Sequence, residues 1–142
     1  MRFFKIAVFF FFLLTQVQGE TFAFAQEFSY HRQWQNTFEQ AKKKKKPLMV
    51  LFVTKTCPWC KKLENQVLSK PEINDFLQKN FILVLLDKDS DAFPSYLEVQ
   101  VVPTIYFVDA QKEKDFGAII GYKNKEEFFE LIQKAAKRFK GQ

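Results

Sequence analysis

Leu48-Met49-Val50-Leu51-Phe52-Val53-Thr54-Lys55-Thr56-Cys57-Pro58-Trp59-Cys60-Lys61-Lys62-Leu63 is the stretch on which the fold turns. Its first six residues are apolar without interruption. That length predicts a strand buried on both faces, the habit of a parallel sheet. A short polar link follows. Pro58 then suits the first turn of a helix, where a missing N–H is no loss. Cys60, Leu63 and Val67 fall on one face of that helix, so Cys60 is expected to point inward. The sequence therefore reads as strand, two cysteines two residues apart, and helix.

These are the two cysteines of the 142-residue chain. A bridge across two residues closes a very small loop and removes little entropy from the unfolded chain, so it serves poorly as a structural staple. It serves well for exchange. A sulfur at a helix N-terminus meets free backbone N–H groups and the positive end of the helix dipole, which favour the thiolate. Lys55 and Lys61 flank the pair with further positive charge and are expected to tune its pKa. Cys57 is the expected nucleophile and Cys60 the resolving thiol: thiolate attack on a disulfide, a mixed disulfide on Cys57, then release by Cys60. Trp59 supplies an aromatic beside the sulfur, either to grip a partner peptide or to pack on a neighbouring loop.

Other uses of two cysteines fare worse. Zinc needs about four ligands, and beyond the pair the chain has one histidine, His31, read as a partly exposed helix residue. Covalent haem needs histidine directly after the second cysteine, where Lys61 stands. Two thiolates suit copper(I), which keeps a metallochaperone or a redox-silent binding module as the rival class. No cofactor and no resident metal are expected.

Outward from this centre, Tyr30, Trp34, Phe38 and Ala41 make a helical stripe that ends in Lys42–Lys46 and Pro47. The lysine run suits a solvated helix end or the steering of acidic partners. Ser69-Lys70-Pro71-Glu72 matches a capping box ahead of a helix with Ile73, Phe76 and Leu77 inward. Phe81–Leu86 predicts a second buried strand. Phe93–Val99 predicts a short helix, Thr104–Val108 and Phe116–Ile120 two more strands, and Asn124 with Glu127 the cap of a final helix. Glu64 follows Cys60 by four residues and reads as a solvated helix residue, with the handling of the thiol's proton open to Glu64, water or the substrate. Strands separated by helices define an α/β domain with a mostly parallel sheet, the last two strands antiparallel.

The first residues read as an export signal: Arg2 and Lys5, an apolar run Ile6–Leu14, then a polar stretch with small residues. Nine apolar residues rise about 14 Å as helix, short of the roughly 30 Å of a bilayer core. Cleavage fits after Ala25, which assigns residues 1–25 to the signal and 26–142 to the domain; Gly19 is the second candidate site. The formal charge of +6 drops by one when Arg2, Lys5 and Glu20 leave. A modest excess concentrated in one lysine run is not a nucleic-acid footprint, and no nucleic-acid partner is expected.

With these pieces in place, the chain resembles the thioredoxin superfamily. A second segment carries the likeness, Val99-Gln100-Val101-Val102-Pro103-Thr104, similar to the family's Val-Pro-Thr motif. The resemblance implies a thioredoxin-like fold with a central mixed sheet of four to five strands. It also implies a cis bond before Pro103, and substrate binding at Val102 and Pro103 beside Trp59. Lys46–Val50, Cys60–Glu64 and Val67–Glu72 look especially like exported proteins related to the periplasmic reductase domains of the Dsb system. That likeness implies a disulfide reductase, with an oxidase or isomerase as the alternative within the class, protein disulfide or thiol substrates, an electron donor in the membrane and a periplasmic or otherwise extracytoplasmic place. Candidate substrates by resemblance include cytochrome c maturation proteins, disulfide isomerases and oxidised single-cysteine proteins. A monomer is expected. The chain departs from the family in carrying Leu51 where relatives have a buried acid, Thr56 where Trp is usual, and Pro-Trp between the cysteines.

Overall fold

The computed structural model describes residues 20–141. The basic start, the apolar run and Gly19 lie outside the described residues. The elements are α1 (Glu20–Glu27), α2 (Trp34–Lys44), β1 (Leu48–Val53), α3 (Pro58–Leu63) continued by a π-helical turn (Glu64–Leu68), α4 (Pro71–Asn80), β2 (Ile82–Asp87), β3 (Thr104–Asp109), β4 (Lys114–Ile120) and α5 (Lys125–Lys140).

The four strands form one mixed sheet in the order β2-β1-β3-β4. Every residue of β1 and β2 is buried, as their unbroken apolar runs require. Alternate residues of β1 enter opposite layers. Met49, Leu51 and Val53 join the cluster that holds Cys57, Cys60, Leu63, Val67 and the inner face of α5. Leu48, Val50 and Phe52 pack with Phe38, Ala41 and Leu97. Full burial of such side chains stabilises the fold by roughly 1.5–3 kcal/mol each.

The sheet is mixed, as the resemblance implies, but not mostly parallel as the order of strands and helices predicts. β1 and β2 are parallel, but β3 runs antiparallel to β1, and β4 to β3. The reason is the connection from Lys88 to Pro103. The helix expected at Phe93–Val99 is absent; a turn closed by Leu97 N–H on the Pro94 carbonyl stands there. The link stays at one end of the sheet, so β3 starts where β1 ends, with Thr104 opposite Phe52. A parallel return would have needed a crossover.

Three further expectations are corrected. Tyr30 precedes α2 and sends its side chain into the layer of Cys60, not into the Trp34 and Phe38 stripe. His31 is exposed but not helical: its N–H and C=O bond Leu83 O and Leu85 N, a one-residue bridge on the outer edge of β2. Ser69 does not cap α4. Its hydroxyl donates to Asn65 O, because the π turn bonds Ser69 N–H to Glu64 O and carries the helix one residue further. Pro71 opens α4 instead, after an extended Lys70. The cap of α5 forms as expected, with Asn124 and Glu127 each accepting the other's backbone N–H.

Lys42 pairs with Glu113 at 2.7 Å and Lys46 donates to Gln78 O. The lysine run is thus partly tied into the fold.

Candidate active site

β1 delivers the chain to the end of the sheet where β3 begins, and the loop Thr54–Thr56 leads into α3. Cys57 is the N-cap of α3, in extended backbone conformation, with Pro58 behind it. Its sulfur accepts the N–H of Cys60 at 3.1 Å, and its carbonyl accepts the N–H of Lys61. A hydrogen bond to sulfur and a free helix end both favour the charged sulfur over the thiol. The two cysteines are joined by a disulfide, with Cα atoms 5.2 Å apart. Cys60 is 2% exposed and Cys57 8%. Cys60 therefore sits behind Cys57, on the stripe with Leu63 and Val67.

Trp59 stands out from the surface, 55% exposed. Its ring lies 5.6 Å from that of Tyr122, and the Lys62 ammonium lies 4.9 Å and 4.8 Å from the two ring centres. Tyr122 in turn donates to Gln66 Oε1 at 3.3 Å. Val102 and Pro103 precede β3 at the same end of the sheet, with the peptide bond between them cis. Pro103 is buried and its carbonyl accepts the N–H of Gly121, whose positive φ of 75° suits a glycine. Val101, beside them, is half exposed. Lys55 is exposed in the loop ahead of Cys57.

Lys61 meets a carboxylate on its own helix. Its ammonium lies 3.4 Å from Glu64 Oε2, and Glu64 is buried, not solvated. The signal for this was present in the spacing. Cys60, Leu63, Glu64 and Val67 follow the i, i+3, i+4, i+7 rule of one helix face. Tyr30 lies on the same side of the sheet. Its hydroxyl is buried without a hydrogen-bond partner among the described residues. Burial pushes its phenol well above the usual range, and the charge of Glu64 adds to the effect. Nothing in the sequence distinguishes Tyr122 or Gln66 as parts of the site.

A cysteine pair at the start of a helix, on a four-stranded mixed sheet with a cis proline at the same end, defines a thiol–disulfide oxidoreductase. The model of the thioredoxin-like domain family matches residues 34–136, and the chain belongs to that family. Among characterised relatives, it is 36% identical over 55 residues to mouse spermatogenesis-associated protein 20, covering 39% of this chain and 7% of that protein. It is 32% identical over 80 residues to mouse anterior gradient protein 3, covering 54% and 48%. The chain thus spans less than half the length of either. Solved structures share the fold at low identity. The DsbH oxidoreductase superposes with a TM-score of 0.63 at 20% identity, over 76% of this chain and 85% of that one. The reduced periplasmic thioredoxin SoxS of Paracoccus pantotrophus gives 0.53 at 17%, over 65% and 97%. The oxidised C-terminal domain of Neisseria meningitidis DsbD gives 0.52 at 16%, over 70% and 90%.

Proposed function

We propose that the protein is an extracytoplasmic disulfide reductase, exported through its N-terminal segment and re-reduced by a thiol–disulfide partner in the membrane. The observation that carries the reading is the unequal burial of a bonded pair. Cys57 sits at the helix cap with an N–H donated to its sulfur, and Cys60 lies deeper on the core face. The accessible thiolate attacks a substrate disulfide and holds the substrate as a mixed disulfide. The inner thiol then displaces it, leaving the Cys57–Cys60 bond for the donor to reduce. Trp59, Val101, Val102 and Pro103 flank the sulfur as the surface for an extended peptide, paired strand to strand. Lys55 supplies positive charge ahead of the nucleophile. The Dsb-type likeness and the periplasmic origin of a structural neighbour support the compartment and the donor.

Two measurements test this. A redox titration of the pair is expected to give a potential near the roughly −270 mV of reductants; a value near about −120 mV marks an oxidant and overturns the direction. A Cys60→Ser variant is expected to accumulate mixed disulfides through Cys57 in the exported fraction. Trapping none, with tight copper(I) binding by the native pair, favours the metallochaperone reading instead.

A further inference from the structure

β1 ends at the cysteine loop, so its other end, at Leu48, marks the pole of the sheet opposite the site. Three helices finish at that pole. α2 ends at Lys44 and leads through residues 45–47 into β1. α4 ends at Asn80 and leads into β2, whose Ile82 lies opposite Leu48. α5 follows Tyr122, which stands beside Trp59, and near its far end Phe139 packs on Phe116 of β4 with ring centroids 5.7 Å apart. The β3–β4 turn closes the same pole: Val108 lies opposite Leu48, and Gln111 donates to the carbonyl of Lys42.

Each of these ends is basic. Lys43, Lys44 and Lys45 close α2, and Lys79 closes α4. Lys114 opens β4, and Lys137, Arg138 and Lys140 close α5. All of them are exposed, and none has an ion-pair partner among the described residues, whereas Lys42 and Lys112 are paired with Glu113 and Asp109. One turn back stand Glu39, Asp75 and, with the opposite sign, Lys134; Asp115 follows Lys114. Nine unpaired cations thus meet three carboxylates, a surplus of six. Lysines at helix C-termini offset the dipole, but three ends of about half a charge each account for roughly 1.5 charges, a quarter of that surplus. Of 22 Lys and Arg, Arg2 and Lys5 precede Glu20, which leaves 20 against 16 Asp and Glu. Everything outside the pole is therefore formally negative.

The exposed large apolar side chains are distributed the other way. Trp59, Val101 and Ile120 belong to the catalytic end, and none of that class stands on the three helix ends or the β3–β4 turn. A protein interface needs an apolar centre within its polar rim, and single-stranded nucleic acid needs aromatics to stack on. The pole offers neither. Cations alone match a plane of phosphates, where each lysine adds its own increment of attraction. We propose that this pole docks the protein on anionic lipid headgroups and holds the cysteine pair away from the bilayer. The six residues of β1 separate the two ends by roughly 20 Å. That exceeds the screening length of about 8 Å at physiological salt, so docking leaves the charge around Cys57 unchanged and the catalytic end open to partners.

The test is co-sedimentation of the full chain with vesicles of phosphatidylglycerol and phosphatidylcholine in equal parts, and with vesicles of phosphatidylcholine alone. The readout is the ratio of the two partition coefficients, in which binding by the apolar run Ile6–Leu14 cancels. Each lysine at an anionic surface strengthens binding about fivefold, so the ratio is expected to exceed about a hundred at low salt. It is expected to fall toward one near about 0.5 M salt, where the screening length drops below about 5 Å. Lys43→Gln, Lys44→Gln and Lys45→Gln together are expected to lower the ratio at least about tenfold, and Lys137→Gln, Arg138→Gln and Lys140→Gln together as much, although the two sets sit on different helices. Lys55→Gln, Lys70→Gln and Lys123→Gln remove the same charge away from the pole and are expected to leave the ratio within about twofold. A ratio near one at low salt, or one lowered equally by all three variants, overturns the proposal. A loss confined to the first variant assigns the effect to the lysine run alone and overturns the three-helix pole. In a Trp34→Phe background Trp59 is expected to keep its emission maximum on the vesicles; a blue shift puts the catalytic end on the lipid and overturns the orientation. Tighter binding of polyglutamate than of anionic vesicles at the same salt assigns the pole to an acidic protein and overturns the lipid reading.

Discussion

The ring of Phe24 packs against that of Tyr30 with centroids 5.5 Å apart, and the carbonyl of Ala25 accepts the N–H of Tyr30 at 2.8 Å. Phe24 and Ala25 belong to the same buried cluster as Cys60. Signal cleavage after Ala25 removes both contacts; cleavage after Gly19 keeps them. Under the proposed export, processing is therefore expected after Gly19 and not after Ala25, so that the chain begins at Glu20, which N-terminal sequencing or intact mass checks directly. A start at Gln26 refutes this. Phe24→Ala is expected to cost about 3 kcal/mol in urea unfolding, as for other buried phenylalanines.

Trp59 is held between exposure and packing by Lys62 and Tyr122. Exposed cation–π contacts contribute about 0.5–1 kcal/mol, enough to bias a surface ring but not to bury it. In a Trp34→Phe background, where Trp59 alone reports, Lys62→Ala is expected to lower the fluorescence anisotropy of the indole. The same change is expected to raise KM for a protein disulfide severalfold with kcat within a factor of two. An equal loss in kcat places the effect on the chemistry instead.

The alkaline stability of the fold follows from Tyr30. Its phenol ionises above its ordinary value of about 10 because burial opposes the charge. In the unfolded chain the same group loses its proton from about pH 10 upward. The unfolded state then binds fewer protons than the folded one, so stability falls as pH rises beyond that point. Tyr96 and Tyr106 act in the same direction through partial burial. Lys46, held below its ordinary range by burial, acts in the opposite one. Urea unfolding between pH 9 and 11 is expected to show a steep loss of stability that Tyr30→Phe makes shallower.

Asn124 and Glu127 satisfy two helix N–H groups reciprocally at the start of α5. Asn124→Ala is expected to destabilise by about 1 kcal/mol, read from the denaturant midpoint, without changing the redox potential of the cysteine pair. A shift in potential marks coupling between α5 and the site.

Strand positions were legible wherever burial on both faces leaves no room for a polar residue, as in Leu48–Val53 and Phe81–Leu86. Strand direction was not, because it depends on whether the link ahead of Thr104 crosses the sheet. Phe93 and Leu97 look like a helical pair, yet each is used singly: Phe93 meets Phe52 edge-on at 4.7 Å, and Leu97 is buried in the same cluster. Loop residues anchored one by one leave no periodic trace.

The cysteine pair was legible because two thiols at that spacing have few other uses. Glu64 reads as solvated on the general rule that charged residues face water, although its spacing from Cys60 and Leu63 puts it on the core stripe, where it is buried. Tyr30 was misplaced for a related reason. Its spacing from Trp34 matches a helix, but the helix begins at Trp34, and the extended residues before it turn the ring to the other side of the sheet.

The single-residue bridge of His31 on β2 has a bearing on self-association. β2 is wholly apolar from Ile82 to Leu86 and forms one border of the sheet, the kind of border that invites a neighbouring chain to add a strand. His31 occupies two of its backbone groups and Arg32 takes a third, donating to Leu85 O while paired with Asp91. The short segment between the first two helices thus works as a guard rail, and a chain shortened past it would carry an open, greasy border prone to aggregation.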